Sequence, residues 1–243
     1  VYLAIQTSMN REVALEMLAP ERIGDIKARE AFTATSRAKA GVQHPHILSV
    51  YEADEAEGYL FYTHEYVDGL TLAQMAAKGQ TVSDHVAVQM VKAVAQALAH
   101  LHQAGIAHSI PEATDIYLGK DGLPYVSNVA QPGKEMPPVQ EEICTMAEVI
   151  RTVLPRGDAG ETGLRSMLTR MGITNQMGFQ SWPPLFQAIQ EIEPKVVPLD
   201  AFKLSAQDEA AIRAVEQARK KQRNAIISSL VALIVLLGVL GAV

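Results

Sequence analysis

Apolar and polar residues alternate in two short runs at the start of the chain, VYLAIQT (1–7) and EVALEML (12–18), separated by the polar SMNR (8–11). Period-two alternation broken by a polar turn predicts a hairpin of two strands. Residues 21–43 carry a weaker helical pattern that ends at His44-Pro45-His46. Two further strand-like runs follow, ILSVYEA (47–53) and YLFYTHEYV (59–67), joined by the acidic DEAEG (54–58). The expectation for residues 1–67 is a small sheet with one helix.

From Asp68 the periodicity becomes helical. Thr71 is placed to cap a short helix that Gly79 ends, and Ser83 a longer one that runs to about Gln103. The longer segment, VAVQMVKAVAQALAHL (86–101), is apolar nearly all round, which predicts a central, buried helix. A loop, HSIPEATDIYL (108–118), leads into two short strands about the Lys-Asp-Gly turn of IYLGKDGLPYV (116–126). After the Pro- and Gly-rich QPGKEMPP (131–138), helices are expected over 140–154, 163–171 and 183–193. Pro194 to Pro198 reads as the start of a linker, and Ser205 followed by Asp208 opens one more helix in the manner of a capping box.

Composition adds a membrane. All 27 acidic residues precede position 219, together with 17 of the 21 basic ones, so residues 1–218 carry a net −10. Four of the five residues in RKKQR (219–223) are basic, and AIISSLVALIVLLGVLGAV (225–243) has no charge. Nineteen helical residues rise ~28 Å, close to the thickness of a bilayer core. The expectation is a linker and juxtamembrane helix over 195–224 and a single transmembrane helix over 225–243. The flanking cations place residues 1–224 on the cytoplasmic side of the cell membrane. Nucleic acid is not an expected partner, because the body is acidic and no aromatics interleave with the basic run; lipid headgroups are. The single cysteine, Cys144, excludes an internal disulfide and a Cys-based zinc site, and reads as a small buried side chain. His100 and His102 lie two apart on a helix and point to different faces, and His44 and His46 flank a proline. No histidine pair has ligand spacing on one helix face, so all are read as packing or surface residues.

A small sheet with one helix, a short connection, and a helical part whose first long helix leads into a loop and hairpin is the order of elements in a protein kinase. VYLA…REVALEML resembles that family's second and third strands, HPHILSVYEADE its H-P-N-I-V segment, and YLFYTHEYVDGLTLAQMA its fifth strand and hinge. GIAHSIPEATDIYL resembles the catalytic loop G-I-x-H-R-D-L-K-P-x-N-I-L-L, and DGLPYVSNVA the approach to D-F-G. The order is most similar to that of bacterial receptor-like Ser/Thr kinases. The resemblance implies an α+β, protein-kinase-like two-lobe fold over 1–194, with an N-lobe at 1–67 and a C-lobe at 68–194. The Gly-rich strand is expected before Val1, and the transmembrane helix follows the C-lobe.

The same resemblance shows which chemistry is missing. Phosphoryl transfer needs a cation on the phosphates, metal ligands, and a carboxylate near the attacking hydroxyl. The strand Lys of V-A-[IL]-K is Glu16, and the helical Glu of F-x-x-E is Thr35. In the loop His108 stays, but Arg becomes Ser109, the catalytic Asp becomes Ile110, and Lys becomes Glu112, which adds negative charge. The two metal-ligand positions hold Asp115 and Asn128, one carboxylate and one amide in exchanged order. They could retain weak Mg²⁺-ATP binding, although no cofactor is expected. Only residues 131–141 separate SNVA from Glu142 of EEICTMAEVIRTVL, which takes the Asp position of D-I-Y-S-L-G, so the activation segment is shortened. The implied function is a membrane-anchored, catalytically inactive pseudokinase that acts as a signalling scaffold or allosteric module with protein partners. The alternatives are a divergent ATP-binding Ser/Thr kinase with residual phosphotransfer, and a passive cytosolic domain of a receptor whose function lies beyond residue 243.

Overall fold

The computed structural model describes residues 1–155 and 163–193. The expected boundary after residue 194, the linker and juxtamembrane helix at 195–224 and the transmembrane helix at 225–243 lie outside them. Among the described residues no helix is long and apolar enough to cross a membrane.

The N-terminal hairpin forms as expected, from β1 (Tyr2–Gln6) and β2 (Arg11–Met17). With β3 (Val50–Ala56) and β4 (Tyr59–Glu65) it makes an antiparallel sheet of order β1-β2-β4-β3. Strand β2 is central and contributes the buried Val13 and Ala14. Helix α1 (Ile26–Ala40) packs on β3 and β4 and begins at Asp25, whose Oδ1 accepts from the N–H groups of Lys27 and Ala28. That cap sets its start five residues later than the sequence pattern suggests. Arg29 of α1 ties the sheet to the helix by donating to Glu55 at 2.8 Å and to the Gly58 carbonyl at 3.1 Å.

Strand β3 departs from expectation at both ends. Ile47 and Leu48 are buried, but they join a different sheet: Leu48 N–H donates to Val126 O at 3.0 Å, and Val126 N–H donates to His46 O at 2.7 Å. The run 47–49 thereby anchors the first lobe to the second, and β3 starts only at Val50. At the other end Asp54 to Ala56 remain paired, because Glu57 (φ 51°) and Gly58 (φ 85°) alone make a two-residue turn. Positive φ at both central positions matches the right-handed twist of the flanking strands, and glycine accepts it without strain.

The second lobe is built round α3 (Asp84–Gln103), capped by Ser83 Oγ on Val86 N–H at 3.4 Å. Its buried residues include Met90, Val91, Leu98 and Leu101, consistent with a helix apolar nearly all round. The shorter α2 (Leu72–Ala77) carries a complete capping box between Thr71 and Gln74. A strand not expected from the sequence, β5 (Gly69–Thr71), pairs with β6 (Ile116–Gly119), which pairs with β7 (Pro124–Val126). Gly69 is required there, since a Cβ would meet the Leu118 carbonyl oxygen at 2.2 Å. Helices α4 (Val139–Arg151), α5 (Gly163–Met171) and α6 (Trp182–Ile192) complete the lobe. Cys144 is half-buried rather than buried; its Sγ donates to Met171 O at 3.1 Å, and burial pushes its thiol pKa up.

Candidate functional site

A cleft of about 470 Å³ lies between the first sheet and the loops that flank the second. Glu16 of β2 and Tyr62 and His64 of β4 line one side, Thr35 and Lys39 of α1 the back, and Ser109, Thr114, Asp115 and Asn128 the opposite side. The fold therefore brings four of the six sequence-predicted positions, Glu16, Thr35, Asp115 and Asn128, to one cavity. Ile110 and Glu112 do not line it. Ile110 is half-buried, and Glu112 faces solvent. Glu112 thus stands beside the cleft rather than in its lining, with its backbone N–H bonded to Asp115.

The upper part of the cleft is a hydrogen-bonded chain. Tyr62, buried among Phe32 and the sheet, donates its hydroxyl proton to Glu16 Oε2. Lys39 Nζ donates to the Tyr62 oxygen at 2.7 Å and lies 5.0 Å from the ring centroid. Burial, and then the Glu16 carboxylate, hold the Tyr62 hydroxyl far above its ordinary pKa, so it stays protonated and serves as the link. The strand thus supplies the anion and the helix the cation, with a phenol between them. Lys39 lies one turn beyond Thr35, the position at which the family resemblance places a Glu. Burial lowers the pKa of His64, and its Nδ1–H donates to the Glu65 carbonyl at 2.9 Å.

The lower part is held by backbone and amide bonds. Asp115 is half-buried; one carboxylate oxygen accepts from Glu112 N–H at 3.0 Å, and its carbonyl accepts from Ser127 N–H at 2.7 Å. Asn128 is only 6% exposed. Its Nδ2 donates to the Lys39 carbonyl at 2.8 Å, near the C-terminus of α1, and its Oδ1 accepts from Ala130 N–H at 3.3 Å. Both ends of this amide are therefore bonded to backbone, and the side chain joins α1 to the SNVA segment. The loop itself is pinned to that segment by Ser109 N–H to Val129 O at 3.1 Å and Gln131 N–H to Ala107 O at 2.8 Å.

Behind the loop lies a group that no helical spacing of the histidines reveals. His102, at the end of α3, and His108, in the loop, each place Nε2 at 2.6 Å from a different oxygen of Glu142, in the first turn of α4. His108 and Glu142 have no solvent exposure, and His102 retains 16%. His108 Nδ1–H also donates to the Ile106 carbonyl at 2.8 Å. Burial acts to lower the His108 pKa, but the hydrogen bond to Glu142, the Ile106 carbonyl and the Glu142 charge outweigh it, and the net shift is upward. His102 and His100 do face different ways, as expected: the His100 ring packs 5.2 Å from that of His44. The partner of His102 comes instead from forty residues further along the chain, where no helical spacing rule reaches.

Chemically, the cleft offers a carboxylate tied up by a phenol, a lysine directed at that phenol, and a half-buried aspartate. Neither side presents a carboxylate at the position where the family's catalytic loop holds its base.

Residues 1–109 match the family described as protein kinase domain. The serine/threonine-protein kinase PknJ of Mycobacterium tuberculosis is 35% identical over 108 residues, which are 44% of this chain and 18% of that protein. PknB of Mycolicibacterium smegmatis is 27% identical over 212 residues, 82% of this chain and 34% of that one. The chain therefore spans about a fifth to a third of the length of these curated relatives. The crystal structure of the Mycobacterium tuberculosis PknI kinase domain superposes with a TM-score of 0.57 at 22% identity, covering 78% of this chain and 89% of that one. At that identity the likeness concerns the fold.

Proposed function

Because the chain carries a protein-kinase-like domain related to the bacterial serine/threonine kinases, we propose that it is a catalytically inactive member, tethered to the cytoplasmic face of the membrane, that acts by binding signalling proteins as a scaffold or allosteric module. The observation that carries the reading is the Lys39–Tyr62–Glu16 chain at the place where a kinase holds its phosphate-binding cation. A unit charge about 4 Å from a phosphate is worth about 4 kcal/mol at an effective dielectric near 20, so replacing Lys by Glu swings that contribution by about 8 kcal/mol as an upper bound. The Lys39 cation offsets part of this, but it is directed at the phenol.

The donor set fits Mg²⁺-ATP poorly for a second reason. Magnesium requires oxygen ligands in near-ideal octahedral geometry, and the Asn128 amide is bonded at both ends to backbone. Asp115 remains a carboxylate on the cleft, and it is the one observation that favours a divergent nucleotide-binding enzyme. Ile110 cannot accept a proton from an attacking hydroxyl, which supports inactivity further. Membrane attachment rests on the basic 219–223 and the uncharged 225–243.

Thermal melting with and without millimolar Mg²⁺-ATP tests the reading of the cleft. An unchanged Tm is expected. A rise abolished by Asp115→Ala would replace this reading with the enzyme. Partition of the full chain into membranes resistant to alkaline extraction tests the tether, and a fully extractable chain would refute it.

A further inference from the structure

We propose that His102, His108 and Glu142 form a binding site for a divalent transition-metal ion, zinc by its donor set, that clamps the end of α3 and the loop at 108–118 to α4. They are the only group of three His, Cys, Asp or Glu side chains among the described residues whose ligand atoms all lie within 4.8 Å of one another. Two imidazoles and one carboxylate are a donor set that zinc uses with a fourth position left to water. The site lies apart from the cleft and does not depend on how the cleft is read.

The geometry is close to what an ion needs. Ligand atoms about 2.1 Å from a tetrahedral zinc are separated by about 3.4 Å. Here each Nε2 stands 2.6 Å from its carboxylate oxygen, so each imidazole has to recede by under ~1 Å. The orientation of His108 is already set: Nδ1–H donates to Ile106 O at 2.8 Å, leaving Nε2 aimed at the site. A backbone carbonyl on the far nitrogen is the usual outer partner of a metal-bound histidine, because it fixes both tautomer and ring plane. His102 provides the approach, since it keeps 16% exposure while the other two side chains have none.

Neither His108 nor Glu142 has any solvent exposure, so both side chains are held in place at the site by protein alone. His102 also packs edge-on against Trp182 with ring centroids 6.0 Å apart, and the indole Nε1–H is buried without an acceptor among the described residues. Trp182 is the only tryptophan of the chain, so its fluorescence reports on this site alone.

The test uses the full chain in detergent, freed of metal by chelator, and titrated with Zn²⁺ while Trp182 fluorescence and Tm are followed. Expected is saturable binding with one equivalent, a matching rise in Tm, and quenching of Trp182 when Co²⁺ replaces Zn²⁺. His102→Gln, at the partly exposed ligand, is expected to weaken binding 10–100-fold or more, whereas His100→Gln, two residues away on the same helix, leaves it unchanged. Glu142→Gln should abolish it; should that variant fail to fold, the two histidine variants still decide. No saturable binding, or equal affinity in the wild type and His102→Gln, would overturn the proposal and leave the cluster a hydrogen-bonded one.

Discussion

Asn128→Asp restores the residue type that the kinase resemblance places at this position, and the structure predicts that the restoration harms the protein. The wild-type amide donates to the Lys39 carbonyl at 2.8 Å from a position that is 6% exposed. A carboxylate has no N–H, so two oxygens would face each other across that distance. The lost bond is worth about 1 kcal/mol, and the unpaired carbonyl together with the buried charge adds about 1–3 kcal/mol more. A domain of 150–250 residues loses roughly 2–4 °C of Tm per kcal/mol, so a fall of about 5–15 °C is expected at pH 7. The fall should shrink in acid, because a protonated carboxyl can again donate to Lys39 O; the folded state raises the pKa of the introduced group, and the relative stability of the variant declines as pH rises through it. Melting curves of the wild type, Asn128→Asp and Asn128→Ala between pH 4 and 8, each with and without Mg²⁺-ATP, measure all of this. An Asn128→Asp variant as stable as the wild type, with a new Mg²⁺-ATP-dependent rise in Tm, would refute the reasoning. It would mean that Asn128 is an altered ligand rather than the bolt between α1 and the SNVA segment.

Further outcomes follow from other parts of the molecule. Tyr62→Phe removes the hydroxyl that links Lys39 to Glu16 and should cost about 1–2 kcal/mol in urea denaturation; an unchanged midpoint would show that the chain of bonds contributes nothing. Leu98→Ala on the buried face of α3 should cost about 2–5 kcal/mol, whereas Leu123→Ala, at a half-exposed turn, should stay within about 0.5 kcal/mol. Equal losses would contradict the placement of the core. The His44 pKa is lowered to about 4, by burial first and then by His100 and His46, so His44 should titrate near that value in NMR. Its unfolded pKa is near 6.5. The unfolded chain therefore binds more protons between those values, and stability is full above pH 6.5 and declines as pH falls toward 4. A His44 titration near 6.5 would exclude this contribution.

Local features were legible in the sequence and long-range ones were not. The hairpin at 1–18, the caps at Thr71 and Ser83, and the all-round apolar face of α3 depend on neighbours within a few residues, and they formed as read. Strand β3 starts later than its apolar pattern predicts because Ile47 and Leu48 pair with Val126, almost eighty residues away. The acidic run at 54–58 looked like a loop by composition, yet only Glu57 and Gly58 turn the chain. In the cleft, the family pattern located Glu16, Thr35, Asp115 and Asn128, but it gave no reason to single out Lys39 or Tyr62, which sit at positions the pattern leaves unassigned. The same limit hid Glu142 as the partner of His102 and His108. A buried carboxylate in the first turn of a helix, with two histidines near the previous helix end, is recognisable only after the helices are docked.

The central claim is that the cleft has lost phosphoryl transfer while the fold and its binding role persist. The most direct measurement is transfer of labelled phosphate from ATP to the full chain and to a general protein substrate, at millimolar Mg²⁺ and with Asp115→Ala alongside. The account predicts no incorporation above background in either protein. Incorporation by the wild type that Asp115→Ala abolishes would contradict it.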